Sequence, residues 1–389
     1  MDFMLYVMVI GRLKVYFDFD DAMAGLLGTI TLLVSATGGL FFGFIADRFG
    51  RVRTLIFTVL IFSLCSLGAA TSQTLTQLLI WRALLGLGMG GEWASGAALV
   101  SESWPAEHRT KAIGIMQSGW ALGYILAAIA AAVILDVLSL GEEAWRWLFV
   151  FGAVPAFFTL WIRRRIPEPR IWVERQRSGA PRANPFAILF GPKLWRRTVL
   201  ATLLAGSLQF AYWGLFFWLP GFLATPVELG GAGMTLLRSM SWIIPMQIGA
   251  YFGYLSFGFI ADWLGRRRTF VIFLSVAALL VPIYGQLARN PTVLMLLGPL
   301  LGFAGHGFFS VFGSFLAELF PTAARATGQG LAYNVGRGLG ALAPFTIGTL
   351  ASMPQFGIGT ALALTSAFFL AGALLIYTLP DTSGKPLEA

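Results

Sequence analysis

Long apolar runs alternate with short polar ones along most of the chain. Runs of about 20 residues recur near 25–46, 52–71, 75–101, 111–135, 146–162, 198–224, 237–261, 269–288, 292–317, 327–352 and 357–379, each long enough as a helix to cross a hydrocarbon core about 30 Å thick. Gly and Pro are scattered through them, as membrane helices tolerate. The first segment differs. Met1–Ile10 is apolar apart from Asp2, but ten helical residues cover only about 15 Å. It reads as the second half of a span whose start is missing, giving eleven full helices and part of a twelfth. No basic n-region and no A-x-A site is present, so no cleavable signal peptide is expected.

Composition narrows the class. Of 389 residues, 57% are hydrophobic and 12% charged, against about 25% charged in soluble proteins. A water-soluble enzyme could not hide so much apolar surface, and 34 Phe with 13 Trp exclude disorder. One cysteine, Cys65, and two histidines, His108 and His306, leave no basis for disulfides or a metal centre; no cofactor is expected. What remains is an all-α, polytopic membrane protein in a lipid bilayer.

Charge orients it. Placing the 47–53 loop inside puts twenty Lys and Arg on the cytoplasmic side, ten of them between Arg163 and Arg197, against five outside: Arg12, Lys14, Arg146, Arg238 and Arg289. That is the positive-inside pattern; it explains the net charge of +9 without a nucleic-acid partner. The expected location is the plasma membrane, the inner membrane in a bacterium, with the central loop and C-terminus cytoplasmic.

The chain is also duplicated. Gly43-Phe-Ile-Ala-Asp47-Arg48-Phe-Gly50-Arg51 returns as Gly258-Phe-Ile-Ala-Asp262-Trp-Leu-Gly265-Arg266, and Glu102-Ser-Trp-Pro105 with Arg109 returns as Glu318-Leu-Phe-Pro321 with Arg325. The two motifs share nearly one offset. Two six-helix halves follow: 1–165 and 196–380, joined by a basic linker, 166–195, and ending in a tail, 381–389. Substrate sites in such repeats lie between the halves near the midplane.

The G-x-x-x-D-R-x-G-R pattern in duplicate resembles the signature of the major facilitator superfamily. Arg82-Ala-Leu-Leu-Gly86-Leu-Gly88-Met-Gly90-Gly91-Glu92, Trp145-Arg146-Trp147, Arg163-Arg164-Arg165-Ile-Pro167-Glu168 and Leu379-Pro380-Asp381-Thr382-Ser383-Gly384-Lys385 are similar to the metabolite–proton symporters, especially the sialate/lactate group, and to aromatic-acid and sugar porters. The resemblance implies a facilitator fold with helices 1, 4, 7 and 10 lining the cavity, and 2, 5, 8 and 11 beside them.

The loop motifs suggest a latch. Gly43 and Gly50 suit a close approach and a tight turn. Asp47 is placed to face the start of the eleventh helix near Thr327, and Asp262 the fifth near Thr110, each favoured by the helix dipole. Arg48, Arg51, Glu102 and Arg109, with Arg266, Glu318 and Arg325 in the second half, supply partners. The alternative is a set of solvated loop charges contributing about 0–1 kcal/mol a pair.

An ionisable group inside a span costs at least about 2.5 kcal/mol on insertion scales and is a functional candidate by default. Five qualify: Asp2, Arg82, Glu92, His306 and Arg337. Arg337 lies near the midplane with Asn334 and Tyr333 on its face, suited to grip a carboxylate in a fork; pairing with Glu92 or Asp2 to neutralise charge is the other role open to it. Arg82 has three candidate roles: guiding an anion, snorkelling, or anchoring the Gly-rich turn. Glu92, with Asp2 second, suits proton coupling. His306 is either a proton relay or a hydrogen-bonded packing residue. Gln209 and Tyr212 on the seventh helix, Gln117 on the fifth and Gln247 on the eighth can line a polar cavity, with aromatic packing as the alternative.

The sequence thus predicts a monomeric secondary transporter, not an enzyme, carrying a small organic anion such as a sialate or a mono- or aromatic carboxylate together with protons. Sugar porters, drug or metabolite efflux and, distantly, a non-transporting sensor are the alternatives.

Overall fold

The computed structural model describes residues 1–104, 106–138, 140–170, 172–174, 185–286, 290–321, 324–353 and 355–380, with backbone alone at 47, 101, 106–110, 160, 185, 236–237, 317 and 325–326. Among the described residues the long helices form twelve rods. The first six are α1 (Asp2–Phe17), α2 (Asp21–Phe49), α3 (Arg51–Ala70), α4 (Leu75–Ser103), α5 (Ala106–Ala131, prolonged by the π-helical Ala132–Val137) and α6 (Ala144–Phe151 and Pro155–Arg165). The second six are α7 (Trp195–Ala224), α8 (Leu236–Leu264), α9 (Arg266–Gln286), α10 (Pro291–Gly307 and Phe309–Glu318), α11 (Arg325–Gly340 and Ala343–Ala351) and α12 (Gly357–Thr378).

Among the described residues, nine of these helices are long and apolar enough to cross a membrane. The three that fall short are α1, α4 and α11, which carry Asp2, Arg82, Glu92 and Arg337. Polar groups that make a helix a poor membrane span are tolerated where the bundle interior receives them. The first helix also runs seven residues beyond the apolar stretch read from sequence. Arg12 reaches Asp136 and the Leu135 carbonyl, and Lys14 pairs with Asp21 at 2.7 Å, so these charges find partners at the end of the bundle.

Two six-helix bundles result, each built by the same pairings. α2 packs on α4 as α8 packs on α10, and α3 packs on α6 as α9 packs on α12. Small residues set these contacts. A Cβ on Gly38 or Gly86 would strike the carbonyl of Leu87 or Thr31, and one on Gly253 or Gly302 those of Phe303 and Met246; without large side chains the backbones approach closely. The loop duplication is equally physical. Gly50 at φ 113° and Gly265 at φ 87° make the same turn in each half, a conformation that favours glycine. Asp20, Thr74, Thr235 and Asn290 cap helices at the other end of the molecule.

The bundles meet along α2–α11 and α5–α8. At the end bearing the α1–α2 loop the seal is tight. Gly25 lies under Pro344, Gly28 under Phe217 and Gly348 against the Asp21 carbonyl; Phe345 N–H donates to Thr29 Oγ1 at 3.2 Å, and Tyr124 donates to the Phe216 carbonyl at 2.9 Å. At the basic end the helices part. Among the described residues a Cβ on Gly43 or Gly330 would meet nothing within 4 Å, and a cavity of about 390 Å³ opens between α5, α8 and α10, lined by Lys111, Tyr254, Asp262 and Ser310. The close approach expected at Gly43 is not made by any described residue in this conformation.

Candidate functional site

Between the halves, halfway along α4, α5, α7 and α11, lies a cavity of about 50 Å³ walled by Trp93, Gln117, Trp120, Gln209, Tyr212, Trp213, Tyr254, Phe309, Tyr333 and Arg337. It shares Trp93, Gln117, Trp120 and Arg337 with a wider cavity of about 350 Å³ that also touches Asp2 and Glu92. Both bundles contribute, as a site used from either side requires.

Arg337 dominates the wall. Its Nη1 donates to Ser35 Oγ of α2 at 3.0 Å, its Nε has no protein acceptor, and its guanidinium lies 5.2 Å from the Tyr333 ring and 5.8 Å from Trp93. Among the described residues no carboxylate comes within ion-pairing distance; Glu92 faces it electrostatically from the wider cavity. Ser35 was not foreseen. Its carbonyl underlies Gly90, so the tight packing of α2 on α4 presents its hydroxyl to the arginine.

The amides divide. Gln209 Oε1 accepts from Trp213 Nε1 at 2.9 Å, which leaves its NH₂ with no protein acceptor. Gln117 Oε1 accepts from Trp93 Nε1 at 3.2 Å. Trp120 Nε1 sits beside the Tyr212 hydroxyl without hydrogen-bond geometry. Four donors, those of Arg337, Gln209, Trp120 and Tyr212, thus await an acceptor around one cavity.

Other predicted residues lie elsewhere. Asn334 turns to α2: it packs on Gly39 and donates to the Gly330 carbonyl at 3.0 Å, so it forms no fork with Arg337. Gln247 is buried outside either cavity. His306 is a packing residue, its Nδ1 3.0 Å from the Gly302 carbonyl and its ring against Tyr212 and Phe216. Arg82 faces neither cavity. It is fully buried, with Tyr6 at 4.4 Å and Phe3 at 5.1 Å from its guanidinium, and Asp2 is its electrostatic neighbour. Asp2 accepts from Ser66 at 2.8 Å, while its Oδ2 has no partner.

At the basic end two pairs of the described loop charges form, one within each half. Arg51 holds Glu102 with two bonds, 2.8 and 2.9 Å, and donates to the Ala46 carbonyl; Arg266 binds Glu318. Glu102 is thus met by Arg51 rather than Arg48, whose guanidinium lies over Phe49. Glu168, unforeseen as a partner, accepts from the backbone N–H groups of Arg51, Val52 and Arg53. The side chains of Asp47, Arg109 and Arg325 lie outside the described residues, as does the tail 381–389.

The profile of the Major Facilitator Superfamily matches residues 1–257, and that of the Sugar (and other) transporter group residues 193–389. The chain belongs to the major facilitator superfamily. This facilitator is 37% identical over 390 residues to the probable 4-methylmuconolactone transporter of Cupriavidus pinatubonensis, covering 100% of this chain and 88% of that protein. It is 31% identical to the cis,cis-muconate transport protein of Acinetobacter baylyi, covering 100% and 92%. Among solved structures it is similar to a D-xylose–proton symporter, with a TM-score of 0.79 at 19% identity over 99% of this chain and 96% of that one. The facilitator is a transporter, not an enzyme, and a multi-pass membrane protein.

Proposed function

We propose that this facilitator takes up small planar carboxylates together with protons by alternating access. The observation that carries the reading is Arg337, a buried cation on the wall of a cavity between the halves, without an ion-paired carboxylate among the described residues. An uncompensated buried charge is costly, and an anionic ligand relieves that cost. The free donors of Gln209 and Trp120 suit an acceptor-rich molecule. The rings of Trp93, Trp120, Tyr212 and Trp213 offer flat faces for a conjugated or aromatic acid. The names of the two relatives, for 4-methylmuconolactone and cis,cis-muconate, point the same way.

Two carboxyls serve the proton. Glu92 competes with the substrate for the field of Arg337, so protonating it strengthens the pull of the guanidinium on the incoming anion. Asp2, beside Arg82, is the second acceptor. The basic end is cytoplasmic by the positive-inside rule, so the conformation described above is open inward and sealed outward.

Reconstituted into liposomes, the protein is expected to accumulate cis,cis-muconate when the external face is made acid. Arg337→Ala is expected to abolish saturable binding. Uptake indifferent to the pH gradient would remove the symport; unchanged affinity in Arg337→Ala would remove the site. A sugar porter is the second reading, favoured by the match of 193–389 to the sugar group. A neutral sugar leaves Arg337 uncompensated, and xylose uptake that survives Arg337→Ala would support it.

A further inference from the structure

We propose that Ser66 is a positioning residue that passes the protonation state of Asp2 to the break in α6. The proposal rests on the reading of Asp2 as a proton site. Ser66 is wholly buried on α3, with its Oγ 2.8 Å from Asp2 Oδ1 and 2.9 Å from the Phe149 carbonyl oxygen. Both neighbours are acceptors when Asp2 is ionised, and a hydroxyl carries one proton. Ser66 therefore serves one of them at a time.

The Phe149 carbonyl needs that proton because its helix stops. In a continuous α-helix it would accept from the amide of Ala153. Instead Gly152 N–H donates to Leu148, Ala153 N–H to Val150 and Val154 N–H to Phe151, and Pro155 begins the next segment. Gly152 lets the three elements meet: a Cβ there would strike Ser66 Oγ and Asp2 Oδ1. The charged and titratable neighbours of Asp2 are Arg82 on α4, the Met1 amino group, which also couples to Glu92, and Cys65 on α3. None of them hydrogen-bonds Asp2 Oδ2. From α2 and α5, Asp21 is engaged by Lys14 and Tyr124 by the Phe216 carbonyl; α6 presents Phe149 and Gly152.

Two arrangements follow. With Asp2 ionised, Ser66 donates to the carboxylate and the Phe149 carbonyl is left without a donor. When Asp2 takes a proton from the cavity it lines, its new O–H donates to Ser66 Oγ, and the serine proton turns to the Phe149 carbonyl. Only the O–H bond on Asp2 is made; the rest is rotation. Proton uptake on α1 thereby tightens the joint of α6, and proton release loosens it.

The test is amide hydrogen exchange across residues 148–156 in the full chain, purified in lipid nanodiscs without substrate, as a function of pH and corrected for the intrinsic pH dependence. Exchange in the wild type is expected to slow about five- to tenfold on acidification, the factor that one hydrogen bond commands. Asp2→Asn, whose amide donates to Ser66 permanently, is expected to hold the slow rate at every pH. Ser66→Ala is expected to hold the fast one, with unchanged exchange in α9 reporting an intact fold; Ser66→Cys, of similar volume and a weaker donor, should fall between. A wild type without the step, or a step that persists in Ser66→Ala, overturns the relay. Acid-driven uptake of cis,cis-muconate that persists in Asp2→Asn overturns instead the assignment of the proton to Asp2.

Discussion

Trp93 of the first half and Tyr333 of the second lie face to face, their ring centroids 4.0 Å apart and their planes 5° from parallel. Both rings also lie near the Arg337 guanidinium. Trp93 borders the small central cavity and the wider one beside it, and Tyr333 borders the small one. A planar acid can take the place of one ring against the other. Stacking contributes about 0.5–1.5 kcal/mol beyond area burial, and Trp93→Ala also frees the Gln117 carbonyl oxygen. The variant is expected to raise the KM for uptake about tenfold while the maximal rate changes little. Trp93→Phe keeps a ring and should recover most of the affinity. Concentration-dependent uptake into proteoliposomes decides it, and an unaltered KM in both variants would assign the stack to packing alone.

Arg337 and Ser35 make a graded prediction. The hydrogen bond between them is neutral on the serine side and fixes the guanidinium, so Ser35→Ala is expected to raise KM about fivefold, the effect of one modest hydrogen bond. Arg337→Lys retains charge but loses the planar fork and the tie to α2, and should cost about tenfold more. Proton stoichiometry, read from pH change in the same vesicles, is expected to stay constant in Ser35→Ala. A serine variant that uncouples transport from protons would show that the arginine's position, and not only its charge, carries the coupling.

The helix count and the duplicated halves were legible because both leave long-range marks: apolar runs of fixed length and two motifs at one offset. Arg337 stood out as a candidate too, since an arginine is expensive in a membrane wherever its side chain points. Orientation was not. Asn334, three residues from Arg337, sits on the adjacent stripe of α11 and packs on Gly39 of α2, a distinction of about 60° around the helix (100° per residue) that needs the neighbouring helix to settle. Ser35 and Ser66 were invisible for a different reason. A serine inside a span is cheap and common, and only the guanidinium brought to Ser35, or the carboxylate and carbonyl brought to Ser66, by other helices set these two apart. Arg82 shows the converse: its cost marked it, but Phe3 and Tyr6 close over its guanidinium, and it lines neither central cavity.

Glu168 provides a test of the loop architecture that does not involve transport. Its carboxylate accepts from three backbone amides at the start of α3, at 2.7, 3.1 and 3.2 Å, where a helix leaves its first N–H groups unsatisfied and favours negative charge. Glu168→Gln keeps the size and one acceptor oxygen but loses the charge. It is expected to cost about 1 kcal/mol, and Glu168→Ala about 1–2 kcal/mol, in the range for loss of a helix cap. Thermal unfolding in detergent, followed by circular dichroism, should rank wild type above Gln above Ala. Equal midpoints would mean that the amides find water as readily as they find the carboxylate.

The glycines separate packing from switching. Gly90 sits so close to the Ser35 carbonyl that a Cβ has no room, whereas Gly43, on the facing helix, has open space around it. Gly90→Ala is therefore expected to lower expression and stability, with a loss of about 1–3 kcal/mol from overpacking, whichever way the transporter faces. Gly43→Ala should leave the inward-open form unstrained. If the Asp47 loop docks on α11 when the basic end closes, the added methyl obstructs only that closure. The expected outcome is a normal thermal midpoint, a population shifted toward the inward-open form, and a lower rate of net uptake. Reactivity of a cysteine placed at Gly330, in a Cys65→Ser background, reads the basic-end opening directly. It should rise in Gly43→Ala, and no change there would leave Gly43 with a role in the turn alone.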